Sequence, residues 1–198
     1  MSTNQLVANV ADMRDAAETK RRLLTAATEE FAERGIAGAR VDRIAAAAGC
    51  NKAMIYSYFG SKDNLFDAVF GESVARFVLD VPLDTGDLPG YAGRLFDRYE
   101  ERPDALRLAI WHRLERPEGK WVTEIVLANE IRLLDMERAQ KEGRLSDHYT
   151  PMELLVLIQS VSTAWTTTNS ELGVRTTIPR EERRALVVDA VRRLIAEH

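Results

Sequence analysis

Apolar side chains along this chain recur at spacings of three and four, the period of an amphipathic helix. Almost nowhere do they alternate as in a half-buried strand. Leu23, Leu24, Ala27 and Phe31 set the first such row and predict a helix from about Ala16 to Arg34. Asp15 and Glu18 have capping-box spacing at its start, and Gly35 offers a left-handed stop. Ser61 is placed to cap a helix from Lys62 to about Leu79, which carries Leu65, Phe66, Val69, Phe70 and Phe77. Pro82, Gly86, Pro89 and Gly90 then interrupt the pattern, and Pro103 sits where a first helical turn begins. Leu106, Leu108, Ile110 and Trp111 fill the next segment, closed by Pro117-Glu118-Gly119. A long helix is expected from about Trp121 to Lys141, ended by Gly143. Thr150-Pro151-Met152-Glu153 combines an N-cap, a proline at the first helical position and a glutamate at the third. Pro179 opens a last helix with Leu186, Val187, Ala190, Val191, Leu194 and Ile195 on its apolar side. Thr176-Thr177-Ile178 is too short to count as a strand. The predicted fold class is all-α.

One stretch, VDRIAAAAGCNKAMIYSYFGSK from Val41 to Lys62, carries more than fold. A short helix from Val41 to Ala48 and a second beginning near Lys52 are joined by a turn of about three residues, so they must cross steeply and nearly touch. Ala45 supplies the small side chain that this approach needs, and Gly49 the positive φ of the turn. Ile44, Ala48, Cys50 and Ile55 are spaced to face one another inside the angle. This is helix-turn-helix logic, in which the second helix projects into a DNA major groove. Cys50, so placed, reads as a small buried hydrophobe rather than a redox switch.

FAERGIAGARV, followed by IAAAAGCNKAMIYSYFGSKDNLF, resembles the DNA-binding domain of the TetR (tetracycline-repressor-like) family of transcriptional regulators. The match spans roughly residues 19 to 66, and the remainder fits the family only in broad layout. The resemblance implies a three-helix DNA-binding domain over residues 1–62, ordered from about residue 15. Residues 63–198 become a helical ligand-binding and dimerisation domain. It places the recognition helix at about Lys52 to Tyr58 and implies that Asn51, Lys52, Ala53, Met54, Tyr56, Ser57 and Tyr58 face DNA. Ile55 and Phe59 face the core. Tyr56 and Lys62 are expected on backbone phosphates, with helix amides adding favourable charge. Two positions depart from the family pattern. Ala53 stands where glycine is usual, and Arg40 replaces a capping Ser or Thr, trading a cap for a charge. Asn51 is a competent cap and a candidate reader of adenine.

Charge first argues against this reading. The chain has 27 Lys+Arg against 31 Asp+Glu, a net of −4, whereas DNA-binding domains are usually basic. Divided after Lys62, the first part holds nine basic and seven acidic residues, the rest 18 and 24, giving +2 and −6. The average hid a basic reader on an acidic body. A lone cysteine excludes a disulfide framework within one chain, and histidines at 112, 148 and 198 make a structural zinc site improbable. No apolar run approaches the ~18–20 residues that span a bilayer, and Met1 to Met13 lacks a signal-peptide pattern. A cytoplasmic protein without membrane contact, metal or cofactor is expected. Enzyme signatures such as a nucleophile elbow or a phosphate loop are missing, so no catalytic residues are assigned.

The acidic body supplies two further expectations. Thr150 to Leu172 is apolar almost all round and, with the last helix, suits a four-helix dimer interface. Leu154, Ile158, Val161, Leu186, Val187, Val191 and Leu194 are its candidate residues. Phe96, Tyr99, Trp111, His112, Trp121, Ile125, Asn129 and Trp165 mix aromatics with a few polar groups and are candidates for an effector pocket. The function expected is a homodimeric repressor that a small molecule releases from a palindromic operator in double-stranded DNA. The alternative keeps the DNA-binding head on a ligand-free interaction scaffold.

Overall fold

The computed structural model describes the backbone of residues 3–116, 123–166 and 177–196, with side chains from Arg14 onward. Nine helices and no strand occur among these residues. They are α1 (Thr3–Gly38), α2 (Val41–Ala48), α3 (Lys52–Phe59), α4 (Lys62–Asp80), α5 (Leu88–Glu101), α6 (Pro103–Glu115), α7 (Thr123–Lys141), α8 (Pro151–Thr163) and α9 (Arg180–Leu194). No described helix is long and apolar enough to cross a membrane. The Pro117–Gly119 stop, Trp121 and residues 167–176 lie outside the described residues.

Most expected helix ends are made by the side chains assigned to them. Ser61 Oγ accepts the Asn64 N–H at 3.0 Å. Thr150 and Glu153 form a reciprocal capping box at α8, with Pro151 in the first turn. Asp15 is the exception. α1 already begins at Thr3, so Asp15 lies within the helix and caps nothing. Glu18 turns instead to Arg21, at 2.6 and 2.9 Å. Residues upstream of Asp15 include several good helix formers, and a helix once nucleated extends at little cost.

The chain divides into two compact units. The first runs through Glu72 and takes in the stretch that begins at Arg107. The second holds Ser73–Leu106 with α7, α8 and α9. The division expected at residue 62 therefore falls inside the first unit, which also includes the second half of α6. Its core is built on Leu23, Phe31, Ile44, Ile55, Leu65, Phe66 and Leu108. Phe31 meets Phe66 edge to face at 5.2 Å between centroids. The second unit encloses Leu88, Tyr91, Leu95, Phe96, Met136, Leu154, Leu155, Ile158, Val187 and Val191. Ion pairs tie α5 to α9 at its edge: Asp97 accepts from Arg180 and Arg184, each at 2.7 Å, and Glu100 from Arg183 at 3.1 Å.

Within the first unit, the break at Gly35 is covered from α6. Gly35 has φ 72° and ψ −178°, a conformation that L side chains avoid. The Glu115 carboxylate accepts the next two amides, Ile36 N–H at 3.1 Å and Ala37 N–H at 2.6 Å. Trp111 Nε1 and Arg107 Nε both donate to the Ala32 carbonyl, at 3.3 and 2.7 Å. A Cβ at position 35 would collide with Glu115 Oε1 and lie 2.9 Å from the Trp111 ring. Gly35→Ala should therefore lower stability by about 1–3 kcal/mol, read as a drop in the midpoint of thermal unfolding.

Candidate nucleic-acid interface

The two helices of the motif have eight residues each, too few to be stable alone, and neighbours hold them. Gly49, at φ 65°, closes α2 as a Schellman motif: its N–H bonds Ala46 O, and Cys50 N–H bonds Ala45 O at 3.0 Å. Ile44, Ala45, Ala48 and Ile55 are buried inside the angle, as the spacing predicted. Cys50 is the correction, since it is only half-buried, with a free thiol. The Schellman turn carries it past the end of α2, out of the row it was assigned to.

Arg40 precedes α2 in extended conformation and its side chain makes no cap. α1 supplies a different bond at this end, to the amide of Arg40 itself. Glu30 accepts the Arg40 N–H at 2.9 Å and Arg43 Nε at 2.8 Å. Burial acts to raise the Glu30 pKa, but the bonds from Arg43 and the Arg40 amide prevail and hold it below the ordinary value. Nothing local in the sequence signals this carboxylate, because its partners lie ten and thirteen residues away.

α3 begins at Asn51, whose Oδ1 accepts the Met54 N–H at 3.0 Å. Bidentate reading of adenine needs both the amide acceptor and its donor, and here the acceptor is committed to the cap. Lys52, Ala53, Tyr56, Ser57 and Tyr58 are exposed, with Tyr56 at 45% and Tyr58 at 38%. Met54 and Phe59 are half-buried, so neither is wholly on the face expected of it. The exposed row offers hydroxyls at 56, 57 and 58, a methyl at 53 and an ammonium at 52.

That ammonium has a partner that the sequence did not single out. Lys52 Nζ lies 3.0 Å from Asp42 Oδ1 on α2. The hydrogen bond to Asp42 and its charge raise the Lys52 pKa, with smaller effects from Tyr56 and, in the opposite sense, Arg40. These four side chains form one electrostatic group. Lys62 also has partners: its Nζ donates to the Ala39 and Ala37 carbonyls, at 3.1 and 3.3 Å. It thereby satisfies acceptors beyond the Gly35 break.

The remaining site candidates are distributed over both units. Trp111 and His112 belong to the first, where His112 is buried with its ring 4.9 Å from Phe70 and 6.3 Å from Phe66. This half of α6 packs on α1 and α4, with Trp111 bonded to the Ala32 carbonyl and His112 against Phe66 and Phe70. Phe96, Tyr99, Ile125, Asn129 and Trp165 all lie in the second unit, Phe96 in its core and the others half-buried. Among the interface candidates, Leu154, Ile158, Val187 and Val191 are covered within one chain, since α5 packs over them. Val161 and Leu194 are half-buried, and Leu186 is 50% exposed.

Two family profiles match the chain. Residues 23–69 match that of "Bacterial regulatory proteins, tetR family", and residues 87–193 that of "Tetracyclin repressor-like, C-terminal domain". The HTH-type transcriptional repressor SCO4008 of Streptomyces coelicolor is 35% identical over 151 residues, 75% of this chain and 79% of that protein. The HTH-type transcriptional repressor AcnR of Corynebacterium glutamicum is 30% identical over 142 residues, covering 69% and 73%. Among solved structures, SCO4942 of Streptomyces coelicolor superposes with a TM-score of 0.82 at 36% identity, covering 91% of this chain and 99% of that one. FadR from Bacillus subtilis, solved with stearoyl-CoA, shares the fold with a TM-score of 0.66 at 19% identity, covering 90% and 100%.

Two measurements test this geometry. Lys52→Ala should weaken DNA binding and flatten the log–log salt dependence by about one unit, while Asp42→Asn, which frees the ammonium, should steepen it. An unchanged slope in Lys52→Ala removes that residue from phosphate contact. For Glu30, the depressed pKa means its stabilisation is present above about 4.5, the ordinary value, and fades as pH falls through the lower folded value. Glu30→Gln should be less stable at neutral pH and should lose that part of the acid-side decline in denaturant titrations.

Proposed function

The chain belongs to the TetR family and is a DNA-binding transcriptional regulator, and on that footing we propose that it acts as a homodimeric repressor released from a palindromic operator by a small molecule. The observation that carries this reading is the exposed row of α3, with hydroxyl, methyl and ammonium groups on an eight-residue helix packed on α2. Such a helix fits a major groove, and two copies related by a dyad would meet half-sites one helical turn apart, about 34–36 Å. Asn51, Lys52, Ala53, Met54, Tyr56, Ser57 and Tyr58 are the groups assigned to this contact, with Arg40 and Lys62 on the flanking phosphates.

The second copy is assigned to the outer face of α8 and α9. Met152 and Val156, four residues apart on α8, and Leu186 on α9 are each at least half exposed in a single chain. Exposed apolar side chains on packed neighbouring helices are what an isologous interface covers. The effector is assigned to the second unit, and the Bacillus subtilis neighbour's stearoyl-CoA makes a small molecule compatible with this fold. Release requires that the effector favour a dimer in which the two α3 helices no longer match the operator. By linkage, effector and operator then weaken one another equally. α4 and α6, which have turns in both units, are the covalent route for that coupling.

Selection of operator sequences from a random pool should return inverted repeats with half-site centres about 10 base pairs apart. A pool without dyad symmetry contradicts the homodimeric reading. Met152→Asp combined with Leu186→Asp should give folded monomers in sedimentation, with operator affinity down by at least about tenfold. A stable dimer from that variant places the interface elsewhere.

A further inference from the structure

α7 turns one charged side chain inward. Its buried positions are Ala128, Arg132, Met136 and Ala139, so Arg132 stands in the row that a packed helix fills with apolar groups. Only 9% of it is exposed. Nη1 donates to Asn129 Oδ1 at 3.3 Å, one turn back on the same helix. Nη2 is buried without a hydrogen-bond partner, and no carboxylate pairs with this guanidinium among the described residues. Arg98 and Arg183 also keep a buried Nε unpartnered, yet both are ion-paired through their terminal nitrogens, to Asp80 and Glu100. Arg132 alone of the three is buried with no anion beside it.

A second orphan lies in the same unit. Tyr91 on α5 is fully buried, and its hydroxyl has no partner. Burial pushes the Tyr91 phenol up, while the charges of Arg132 and Arg94 pull it the other way. Arg94 is already compensated by Asp87, at 3.8 Å. What remains is a guanidinium N–H, a phenol O–H and one unmatched positive charge inside a helical core. Folded proteins leave few buried polar atoms unpaired, and an uncompensated buried cation is among the most costly of them. A ligand that satisfied both would accept hydrogen bonds and carry one negative charge. A carboxylate meets both requirements and suits the planar fork of arginine. A phosphate monoester carries close to two charges and would leave one unmatched. Leu95, Phe96, Leu155 and Ile158 in the same core call for a hydrocarbon body behind the head group.

We propose that Arg132, Asn129 and Tyr91 form an anion subsite in the second unit, and that the effector is a small hydrophobic monocarboxylate held there by its head group. This rests on the reading that a small molecule binds in that unit. Sequence patterning had grouped Asn129 with the pocket on residue type alone. Arg132, one turn further along the same helix, is the residue that gives the pocket a charge preference.

Thermal unfolding of the purified full-length protein tests the subsite with carboxylates from butanoate to palmitate, benzoate and phenylacetate, each beside its neutral amide. At least one carboxylate should raise Tm by about 5 °C at saturation, and its amide should not. Arg132→Met should abolish that rise. Since it replaces an unpaired buried cation with an apolar chain, the ligand-free variant should melt no lower than the parent. No response to any carboxylate overturns the subsite, as does an amide equal to its acid, or a rise retained in Arg132→Met. Should Arg132→Met fail to fold, Tyr91→Phe gives the second reading: about tenfold weaker carboxylate binding is expected, and unchanged affinity overturns the proposal. Operator release is scored separately. A carboxylate that binds at Arg132 but leaves operator affinity unchanged keeps the subsite and sinks the inducer reading; release by neutral compounds alone does the reverse.

Discussion

Short helices do not hold themselves together, and the helix-turn-helix of this protein is made of two of them. Eight residues give α2 and α3 few internal hydrogen bonds against the full cost of nucleation. Their existence depends on what surrounds their ends. Glu30 takes the amide of Arg40, Asn51 takes that of Met54, and the Schellman bonds at Gly49 close the turn between. Lys62 and Glu115 do the same for the carbonyls and amides around the Gly35 break. Ile44 and Ile55 then need only a modest apolar contact to fix the crossing. Specificity for DNA, on this view, is a property of end groups as much as of the exposed row.

The same accounting changes the meaning of the basic surplus. Several of the cations counted in the first 62 residues are already engaged: Arg21 by Glu18, Arg34 and Arg43 by Glu30, Lys52 by Asp42 and Lys62 by backbone carbonyls. Phosphates must compete with these partners rather than meet bare charge. Exposed pairs such as Lys52–Asp42 are worth little in water, so exchange with a phosphate is cheap. Arg43, held by a carboxylate that is itself largely buried, is not available on the same terms.

Local chemistry was legible in the sequence and long-range choice was not. The capping box at Thr150, the proline at the start of α6, the turn at Gly49 and the exposed face of α3 each follow from residues within a few positions of one another. Asp15 misled because a cap signal says where a helix can start and not where it does. Leu154, Ile158, Val187 and Val191 were ambiguous for a different reason. A helix that is apolar all round demands cover, but periodicity does not say whether α5 of the same chain or a second copy provides it. Trp111 and His112 share one helix with Leu106, yet the division into units falls between them. Arg132 was visible as an arginine in an apolar row, and only the missing counter-ion makes it informative.

The first unit borrows the second half of α6 from far along the chain, and with it Leu108, His112, Glu115 and Arg116, the last of which pairs with Asp63 at 3.0 Å and also with Asp67. The DNA-reading head is therefore not a portable cassette. A graft ending at residue 62 would leave out Phe66, expose Phe31 and the Ile36 and Ala37 amides to water, and carry the letters of the recognition helix without the scaffold that aims it. Chimeras that exchange sensing bodies between regulators of this kind must move α6 with the head, or choose a recipient whose α6 presents the same carboxylate to the same two amides.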